Sequence, residues 1–402
     1  MAGKRRKRIL WGIWGICVVI GIAAGVGSAI QGLQEKAIGK TQEIVQQMTQ
    51  KGVPFSEIVM EESEVSEGYY YQNLSQEEQT VYKEILQGIQ EGSDCIYLHS
   101  SESDQIGKIY GFLLCDRPEL FWCTGELRIT SYSDYAEAEP VYSCQGEERL
   151  NRQAEIDAAV EQCLSGIGNE NSEYERVKYV FEYLVDTVDY DMEAPDNQNI
   201  YSALVNRASV CAGYSRAAQY LLQKMGVECI YVTGNIPNQG AHAWNIVKCN
   251  GQYYQLDVTF GDPVFLKEES GEKMPESSIN YGYLCCTDEE IFKNHEPDAD
   301  VIYPACTSMD LNYYVLNGMY YDFYDSETIL SNMNQAIYNM ESSFTCKFST
   351  DELYQMAHDD MIQNLIPQAA QNLASYYRLE SVSYMYVEDE DVDKITVFWN
   401  YQ

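Results

Sequence analysis

Histidine and basic residues are scarce in this chain of 402 residues. It has 4 His, and 26 Lys and Arg stand against 62 Asp and Glu, for a formal net charge of −36. Nucleic acids and anionic lipids are bound mainly through Lys and Arg, so this charge argues against either as a partner. The shortage of histidine argues against a metal-dependent hydrolase, and we predict neither a metal site nor a cofactor.

Cysteine motifs are also missing, although the chain contains 13 Cys. No two of them form a C-x-x-C pair, so neither a zinc site nor a thioredoxin-like site is indicated. Disulfides between Cys115 and Cys123, or between Cys306 and either Cys285 or Cys286, are conceivable outside the membrane, but the spacing does not set a connectivity. Most of these residues are expected to be small buried hydrophobes.

One long uncharged run stands near the N-terminus. Residues 9–30 carry no charge and follow the basic cluster Lys4–Arg8. This length crosses a bilayer, and the basic cluster favours a cytoplasmic N-terminus. We therefore predict a single-pass membrane anchor in residues 1–30, with the bulk of the protein outside the cytoplasm. The alternative is a signal peptide cleaved near Gly27–Ala29, which gives a secreted protein.

The rest of the chain divides by composition and periodicity into four parts. The composition of residues 31–67 predicts a helical stalk and an acidic linker. The periodicity of residues 68–168 predicts an N-terminal α+β region. Residues 169–302 contain the residue types that carry chemistry. Residues 303–402 predict a C-terminal α+β region that ends in a hairpin, and we expect the acidic turn Glu388–Asp391 of that hairpin to be solvated.

Three residues of the 169–302 region, Cys211, His242 and Asp257, combine the groups of a nucleophilic site. Cys211 begins an Ala- and Leu-rich helical pattern, and a thiol at a helix N-terminus meets N–H groups and the positive end of the helix dipole, which favour the thiolate. His242 begins a strand-like run, and Asp257 ends the next run across a turn at Asn250-Gly251. Antiparallel pairing of these two strands predicts that His242 and Asp257 are cross-strand neighbours.

These residue types supply a nucleophile, a base and an orienting group. Cysteine attacks as the thiolate, histidine takes its proton and returns it to the leaving group, and aspartate fixes the imidazole tautomer and stabilises the imidazolium. The other three histidines have no comparable partners in the sequence. Of these, His295 is a candidate for the rim of the cleft, but beside Glu296-Pro297 we expect it to be an exposed residue without a role.

The same residues resemble the motifs of a known superfamily. Val210–Ser215, His242–Asn245 and Leu256–Thr259 are similar to the three motifs of the transglutaminase-like superfamily of papain-fold cysteine enzymes, most of all in its bacterial, secreted or membrane-anchored branch. The resemblance implies an α+β, papain-like core in residues 169–302, with a nucleophile-bearing helix packed on an antiparallel sheet. Phe260 departs from the pattern, because the family commonly has Trp there.

The resemblance implies further site residues. Gln198 falls where the family uses a Gln side chain as an oxyanion donor, and Tyr283–His295 is similar to a segment that often closes the domain. Trp244 and Tyr214 are the predicted substrate-binding residues. Trp244 is equally suited to shielding the imidazole from water or to anchoring the sheet.

Two functions from different classes are open. The first is cysteine-dependent acyl transfer at the outer face of the cell envelope, on a peptide, protein or cell-wall peptide substrate. Its thioester intermediate passes either to water, as in a protease or amidase, or to an amine, as in transglutaminase-type cross-linking. The second is a membrane-anchored binding or scaffolding protein whose triad is inactive. The sequence leaves the oligomeric state open.

Overall fold

The computed structural model describes residues 53–168, 170–262 and 279–401. The chain divides into two compact units, Met1–Ala159 and Val160–Gln402, so that the whole of the predicted catalytic region and of the C-terminal region belongs to one unit. None of the helices in the described part of the chain is long and apolar enough to span a membrane. The anchor predicted in residues 1–30 and most of the predicted stalk lie outside the described residues.

The first unit is a small α+β arrangement. Its elements are α1 (Tyr69–Gln72), α2 (Gln76–Glu91), β1 (Ile96–Leu98), α3 (Ser103–Asp116), β2 (Cys123–Ser131), β3 (Ala136–Tyr142) and α4 (Gly146–Leu164), which continues into the second unit. The strands form an antiparallel sheet in the order β1-β3-β2. A capping box between Ser75 and Glu78 begins α2, and Gly92 ends it in the left-handed conformation with φ of 72°.

The second unit begins with the predicted catalytic region. Its elements are α5 (Glu173–Thr187), β4 (Asp189–Tyr190), β5 (Ala208–Ser209), α6 (Cys211–Lys224), β6 (Cys229–Ile236), β7 (Gly240–Cys249), β8 (Gln252–Leu256), α7 (Val258–Gly261), β9 (Leu284–Cys286), α8 (Asp288–Ile291) and β10 (Glu296–Pro297). Five strands form an antiparallel sheet in the order β10-β6-β7-β8-β9. Because α6 packs against β6 and β7, the predicted α+β class and the helix on an antiparallel sheet are confirmed.

Small residues let the parts of this sheet and helix approach closely. Ala217 and Ala218 lie on the buried face of α6 beside Leu221, so the helix axis comes near to β7. Gly234 in β6 lies against β10, since a Cβ atom there would be 2.3 Å from the carbonyl oxygen of Glu296. The absence of a side chain at this glycine therefore permits the pairing of β10 with β6.

The rest of the second unit forms a sheet covered by helices. Its elements are α9 (Tyr313–Leu316), β11 (Tyr320–Tyr321), α10 (Ser326–Tyr338), β12 (Ser343–Phe348), α11 (Asp351–Asp360), α12 (Ile366–Tyr377), β13 (Ser383–Asp389) and β14 (Lys394–Asn400). The strand order is β11-β12-β14-β13. Apolar side chains of β12 and β14 and of helices α10, α11 and α12, among them Phe344, Val397 and Leu373, form one buried core.

Lysine side chains join this sheet to the catalytic region. Lys347 of β12 is only 2% exposed, and its Nζ lies 3.0 Å from Glu290 Oε1 in α8. Lys293, which follows α8, pairs with the buried Asp393. Because Lys347 is buried, loss of its partner Glu290 would leave an unpaired charge inside the protein, so this pair holds the two parts in one arrangement.

The acidic turn of the last hairpin is part of this junction. Asn280 Nδ2 donates to Asp389 Oδ2 at 3.1 Å, and Asn294 Nδ2 donates to Asp391 Oδ2 at 3.2 Å. Of these two carboxylates, Asp391 is exposed, as expected of a solvated turn, and only the half-buried Asp389 departs from that expectation. Hydrogen-bond donors of the catalytic region face them, which the sequence of the turn alone does not indicate.

No disulfide joins the cysteines of the described residues, so the pairs considered from spacing are not formed. Most of these thiols are buried, including Cys285, Cys286 and Cys306. Burial is the main cause of the raised pKa of the Cys286 and Cys306 thiols, which keeps them in the protonated, unreactive form. They pack as small apolar side chains.

Candidate active site

Cys211 is the first residue of α6, and its thiol is partly exposed. The preceding residue, Val210, is extended with φ of −112° and ψ of 179°, and it supplies no capping side chain. The N–H groups of the first turn and the positive end of the dipole of this 14-residue helix therefore lie at the thiol. Such an environment stabilises a thiolate relative to a thiol.

His242 lies in β7, and Asp257 directly follows β8, the strand that pairs with β7. The His242 Nε2 atom lies 2.7 Å from Asp257 Oδ2, with His242 8% exposed and Asp257 0% exposed. The Cys211 thiol lies near enough to the same imidazole to raise its pKa. Since Nε2 faces the carboxylate, Nδ1 is the ring nitrogen left for the sulfur. The structure thus brings the three predicted residues together in the order thiol, imidazole, carboxylate.

The backbone and the imidazoles hold Asp257 in its ionised form. Its Oδ1 atom caps α7 by accepting hydrogen bonds from the N–H groups of Thr259, at 2.8 Å, and Phe260, at 3.1 Å. Burial by itself raises the pKa of the Asp257 carboxyl, but His242 and His295 more than reverse this and hold that pKa well below its usual range.

The charge of Asp257 sets the protonation of His242. Burial by itself lowers the pKa of the His242 imidazole, but Asp257 and Cys211 raise it to about 10. At neutral pH the pair therefore consists of a carboxylate and an imidazolium. This is the protonation state that pairs with a thiolate and that holds a proton ready for a leaving group.

A second histidine contacts the same carboxylate. His295 lies between α8 and β10, is 1% exposed, and places Nε2 2.9 Å from Asp257 Oδ2. The expectation that His295 is exposed is wrong, because the pairing of β10 with β6 turns the preceding residue inward against Trp244 and Phe260. Two sequence features indicate that His295 belongs to the site: it ends the segment Tyr283–His295, and the chain has only 4 His.

Within the described residues, the two imidazoles and the carboxylate also form a group with the spacing of a possible metal site. The ligand atoms of His242, Asp257 and His295 all lie within 4.8 Å of one another. Their separations of 2.7 Å and 2.9 Å from the shared oxygen are hydrogen-bond distances. Ligands of a tetrahedral zinc at about 2.0–2.1 Å lie roughly 3.3 Å apart. A metal would therefore have to displace these hydrogen bonds.

Gln198 lies in the loop before β5. Its carbonyl oxygen accepts a hydrogen bond from Arg216 Nη1 of α6 at 2.9 Å, and the carbonyl of the neighbouring Asn197 accepts one from the Val210 N–H at 3.0 Å. These two bonds tie the loop to the first turns of α6. The Gln198 side chain is exposed. Its position beside the helix that carries Cys211 is compatible with contact to a substrate, and its oxyanion role stays a prediction.

Trp244 and Tyr214 are interior residues, each 0% exposed. Trp244 Nε1 donates to Gln255 Oε1 at 2.8 Å, and its ring lies 6.0 Å from the imidazole of His242 in a stacked orientation. Tyr214 Oη donates to Asp262 Oδ2 at 2.9 Å. The prediction that these two residues bind substrate does not hold in this structure, because neither side chain reaches the surface. Trp244 shields the imidazole and anchors the sheet.

A pocket of about 220 Å³ lies beside the imidazole cluster. Phe260 forms part of its wall, and the centroid of that ring is 5.3 Å from the imidazole of His242. The turn after β6, the segment around Asn294 and the carboxylates of Asp389 and Asp391 supply other parts of the wall. The C-terminal hairpin thus borders the candidate active site.

The family model of the transglutaminase-like superfamily matches residues 161–258, the stretch that contains Cys211, His242 and Asp257. Residues 161–258 form a transglutaminase-like domain. A comparison with curated proteins gave no match. The transglutaminase-like domain thus contains the thiol, the first imidazole and the carboxylate, whereas His295 lies beyond the matched stretch.

Solved structures are similar to parts of the chain. A crystal structure of a TGase shares 15% identity over 38% of this chain and 47% of that chain, with a TM-score of 0.26. A candidate cysteine protease from Cytophaga hutchinsonii shares 12% identity over 40% of this chain and 64% of that chain, with a TM-score of 0.24. A candidate protease from Parabacteroides distasonis shares 9% identity over 33% and 36%, with a TM-score of 0.20. The chain thus spans less than two thirds of each of these proteins.

Proposed function

We propose that the transglutaminase-like domain is a cysteine-dependent acyltransferase that opens amide or isopeptide bonds through a thioester on Cys211. One observation carries the proposal. The Cys211 thiol stands at the N-terminus of α6, near enough to the His242 imidazole to raise its pKa, and that imidazole lies 2.7 Å from the buried carboxylate of Asp257. A nucleophile, a proton carrier and an orienting group are in mutual reach.

The proposed reaction has two steps. The Cys211 thiolate attacks the carbonyl carbon, and the His242 imidazolium gives its proton to the leaving nitrogen, which departs as an amine or ammonia and leaves a thioester. Water or a second amine then attacks the thioester while neutral His242 takes the proton of the attacking group. The product is a carboxylic acid or a new amide, and the thiolate returns. Asp257 keeps Nδ1 of His242 turned toward the sulfur throughout.

Two donors are proposed for the oxyanion of each tetrahedral intermediate. The backbone N–H of Cys211 is one, because it belongs to the first turn of α6. The Gln198 side chain is the other, because its loop is hydrogen-bonded to Val210 through Asn197 and to Arg216. A donor aimed at a developing oxyanion typically contributes about 3–4 kcal/mol to the stability of the transition state.

The location and the substrate class are also part of the proposal. The uncharged run of residues 9–30 behind a basic cluster supports a domain held outside the membrane, or secreted after cleavage. We propose a peptide, a protein or a cell-wall peptide as substrate, since these molecules supply amide and isopeptide bonds there. The net charge of −36 argues against nucleic acid as a partner.

The test is the rate of iodoacetamide alkylation of the purified protein between about pH 5 and 9, a range that brackets the ordinary histidine and cysteine titrations. Peptide mass spectrometry reports each thiol separately, so the buried Cys229 serves as an internal control. We expect fast labelling of Cys211 below about pH 7 that is slowed by His242→Ala. Labelling of Cys211 no faster than that of an ordinary thiol, and unchanged by His242→Ala, contradicts the proposal.

Binding without catalysis is the second candidate function. One observation favours it: the pocket beside the imidazole cluster is walled by Phe260 and the C-terminal hairpin, and Cys211 is not among its lining residues. A scaffolding protein would use this pocket while its thiol stayed inert. The alkylation experiment separates the two functions, because only the acyltransferase requires an activated thiolate.

A further inference from the structure

His295 has no part in the reaction proposed above, yet it is built into the site. It is 1% exposed, and its Nε2 contacts the same oxygen of Asp257 that His242 contacts. A carboxylate only accepts hydrogen bonds, so Nε2 of His295 must carry a hydrogen and donate it. Asp257 Oδ2 therefore receives one N–H from each imidazole, while Oδ1 receives two from the backbone.

The surroundings of His295 leave it little freedom. The rings of Trp244, Phe260 and His242 lie 5.1 Å, 4.8 Å and 5.2 Å from its own, and the ring of Tyr283 lies 5.8 Å away. The titratable and charged groups that face His295 are therefore Asp257, His242 and Tyr283, and Asp391 lies beyond Asn294. Packing of this kind fixes the ring plane, so that the hydrogen bond to Asp257 has one direction.

A chain of hydrogen bonds links His295 to the C-terminal hairpin. Its Nδ1 lies 2.6 Å from Asn294 Oδ1, and Asn294 Nδ2 donates to Asp391 Oδ2 at 3.2 Å and to Tyr283 Oη at 2.8 Å. When Nδ1 carries a proton it donates to Asn294 Oδ1. When Nδ1 is deprotonated, the Asn294 amide must turn over to offer Nδ2 instead. Asn294 therefore senses the second proton of His295, whereas Nε2 donates to Asp257 in both states.

We propose that His295 is a positioning residue of the Cys211–His242–Asp257 site. Its Nε2–H fixes Asp257 Oδ2 at His242 and takes up part of that oxygen's charge, and Asn294 contacts Nδ1 on the other side of the ring. The inference rests on the proposed function and deepens it, since it assigns the control of the reactive ion pair to a fourth residue.

A charge on His295 works against this role. Burial is the main cause that lowers the pKa of His295, which favours the neutral ring near neutral pH. In acid the ring gains a second proton and stands beside the same oxygen as the His242 imidazolium. The two cations then compete for Asp257, and the attraction that holds His242 in its charged form weakens. The reactivity of Cys211 should therefore fall in acid as His295 gains its second proton.

Two substitutions separate the hydrogen bond from the ring. His295→Phe keeps an aromatic ring but removes the donor, whereas His295→Gln keeps an N–H donor that cannot be protonated. We expect His295→Phe to slow alkylation of Cys211 by about tenfold near pH 7, the loss typical of one hydrogen bond to a charged group. We expect the alkylation rate of Cys211 in His295→Gln to stay within about threefold of the wild-type rate. In this variant the rate should also decrease less in acid than it does in the wild type. His295→Phe with the wild-type rate and pH profile would overturn the inference.

A second measurement does not need a reactive thiol. The chain has only 4 His, so ¹⁵N-histidine NMR of the Cys211→Ser protein resolves each ring. We expect two strongly hydrogen-bonded Nε2–H signals, one from His242 and one from His295, of which one disappears in His295→Gln, and a shift of the His242 ring in the same variant. A His295 ring that exchanges its protons freely overturns the inference. Slow, unactivated Cys211 in the wild type together with the expected NMR signal contradicts the proposed function alone.

Discussion

Gly213 lies directly against Ser209, so close that a Cβ atom on Gly213 would be 1.8 Å from Ser209 Oγ. That hydroxyl donates to Asn197 O at 2.7 Å and contacts Ser202 Oγ at 2.8 Å. The missing side chain of Gly213 therefore lets the loop that carries Gln198 lie on the first turn of α6. The nucleophile helix and the proposed oxyanion loop are joined at this contact.

Substitution of Gly213 by Ala should disrupt both stability and activity. The new Cβ atom has to displace Ser209 and with it the loop at Asn197, and overpacking of this kind typically costs about 1–3 kcal/mol. Urea unfolding measures the loss. Gly111 of α3 is the matched control, because a Cβ atom there meets no atom within 4 Å. We expect Gly111→Ala to be neutral or stabilising by up to about 1 kcal/mol. Equal effects of the two changes would refute the explanation.

Gln198 should matter for acyl transfer and not for alkylation. Removal of an oxyanion donor lowers kcat by about 10²–10³, whereas alkylation by iodoacetamide forms no oxyanion. We therefore expect the alkylation rate of Cys211 in Gln198→Ala to stay within about twofold of the wild-type rate. The same variant should lose most of its turnover of an amide substrate. The measurement is the pair of rates on one protein preparation.

The control for Gln198 comes from the same loop region. Met192 is 60% exposed, so Met192→Ala should leave both rates unchanged. If Gln198→Ala also leaves the turnover unchanged, the side chain is not an oxyanion donor. If it lowers alkylation as strongly as turnover, the change has instead displaced the helix N-terminus.

Tyr214 should contribute to stability rather than to binding. Its hydroxyl donates to the buried carboxylate of Asp262, so Tyr214→Phe leaves that acceptor short of a hydrogen bond at a cost of about 1–3 kcal/mol. Thermal or urea unfolding gives the loss, and KM for an amide substrate should not change. Tyr354 is the control: it is 0% exposed, and its hydroxyl has no partner among the described residues. Tyr354→Phe should be neutral or stabilising, and a raised KM in Tyr214→Phe would revive the substrate-binding role.

The site residues that local patterns predict are those whose neighbours in space are neighbours in sequence. Cys211 is predicted by the start of a helix, and the proximity of His242 to Asp257 by one hairpin turn between β7 and β8. The capping boxes at Ser75 and Ser172 are local features of the same kind, since each is complete within four residues. Short-range physics is sufficient for these features.

Features that depend on distant parts of the chain were mispredicted or missed. His295 is buried because β10 pairs with β6, and no local pattern near Glu296-Pro297 reports that pairing. The burial of Tyr214 requires Asp262 to lie beneath it, and the contacts of the acidic turn require Asn280 and Asn294. In each case the deciding partner is tens of residues or more away, so tertiary packing outweighs local preference.

The dependence of stability on pH offers a test of the His242–Asp257 pair. In the folded protein the pKa of His242 is raised from 6.5 to about 10 by Asp257 and Cys211, against the effect of burial. A group whose pKa is raised by folding stabilises the folded protein fully at any pH below its pKa in the unfolded chain. This stabilisation is lost as the pH rises through its pKa in the folded protein, so the contribution of His242 should decline between pH 6.5 and about 10. The lowered pKa of Asp257 acts in the opposite sense, and its contribution is lost only in acid, below the ordinary value of 3.8.

The free energy of unfolding in urea, measured across this range for the wild type and for His242→Gln, isolates the pair. Buried cysteines and tyrosines titrate in both proteins, so their alkaline effects cancel in the difference. We expect the wild type to be more stable near pH 6 by on the order of 2 kcal/mol, and the difference to shrink toward pH 10. A difference that stays constant with pH would mean that His242 is not charged in the folded protein. The thiolate–imidazolium pair on which the proposed chemistry depends would then be absent.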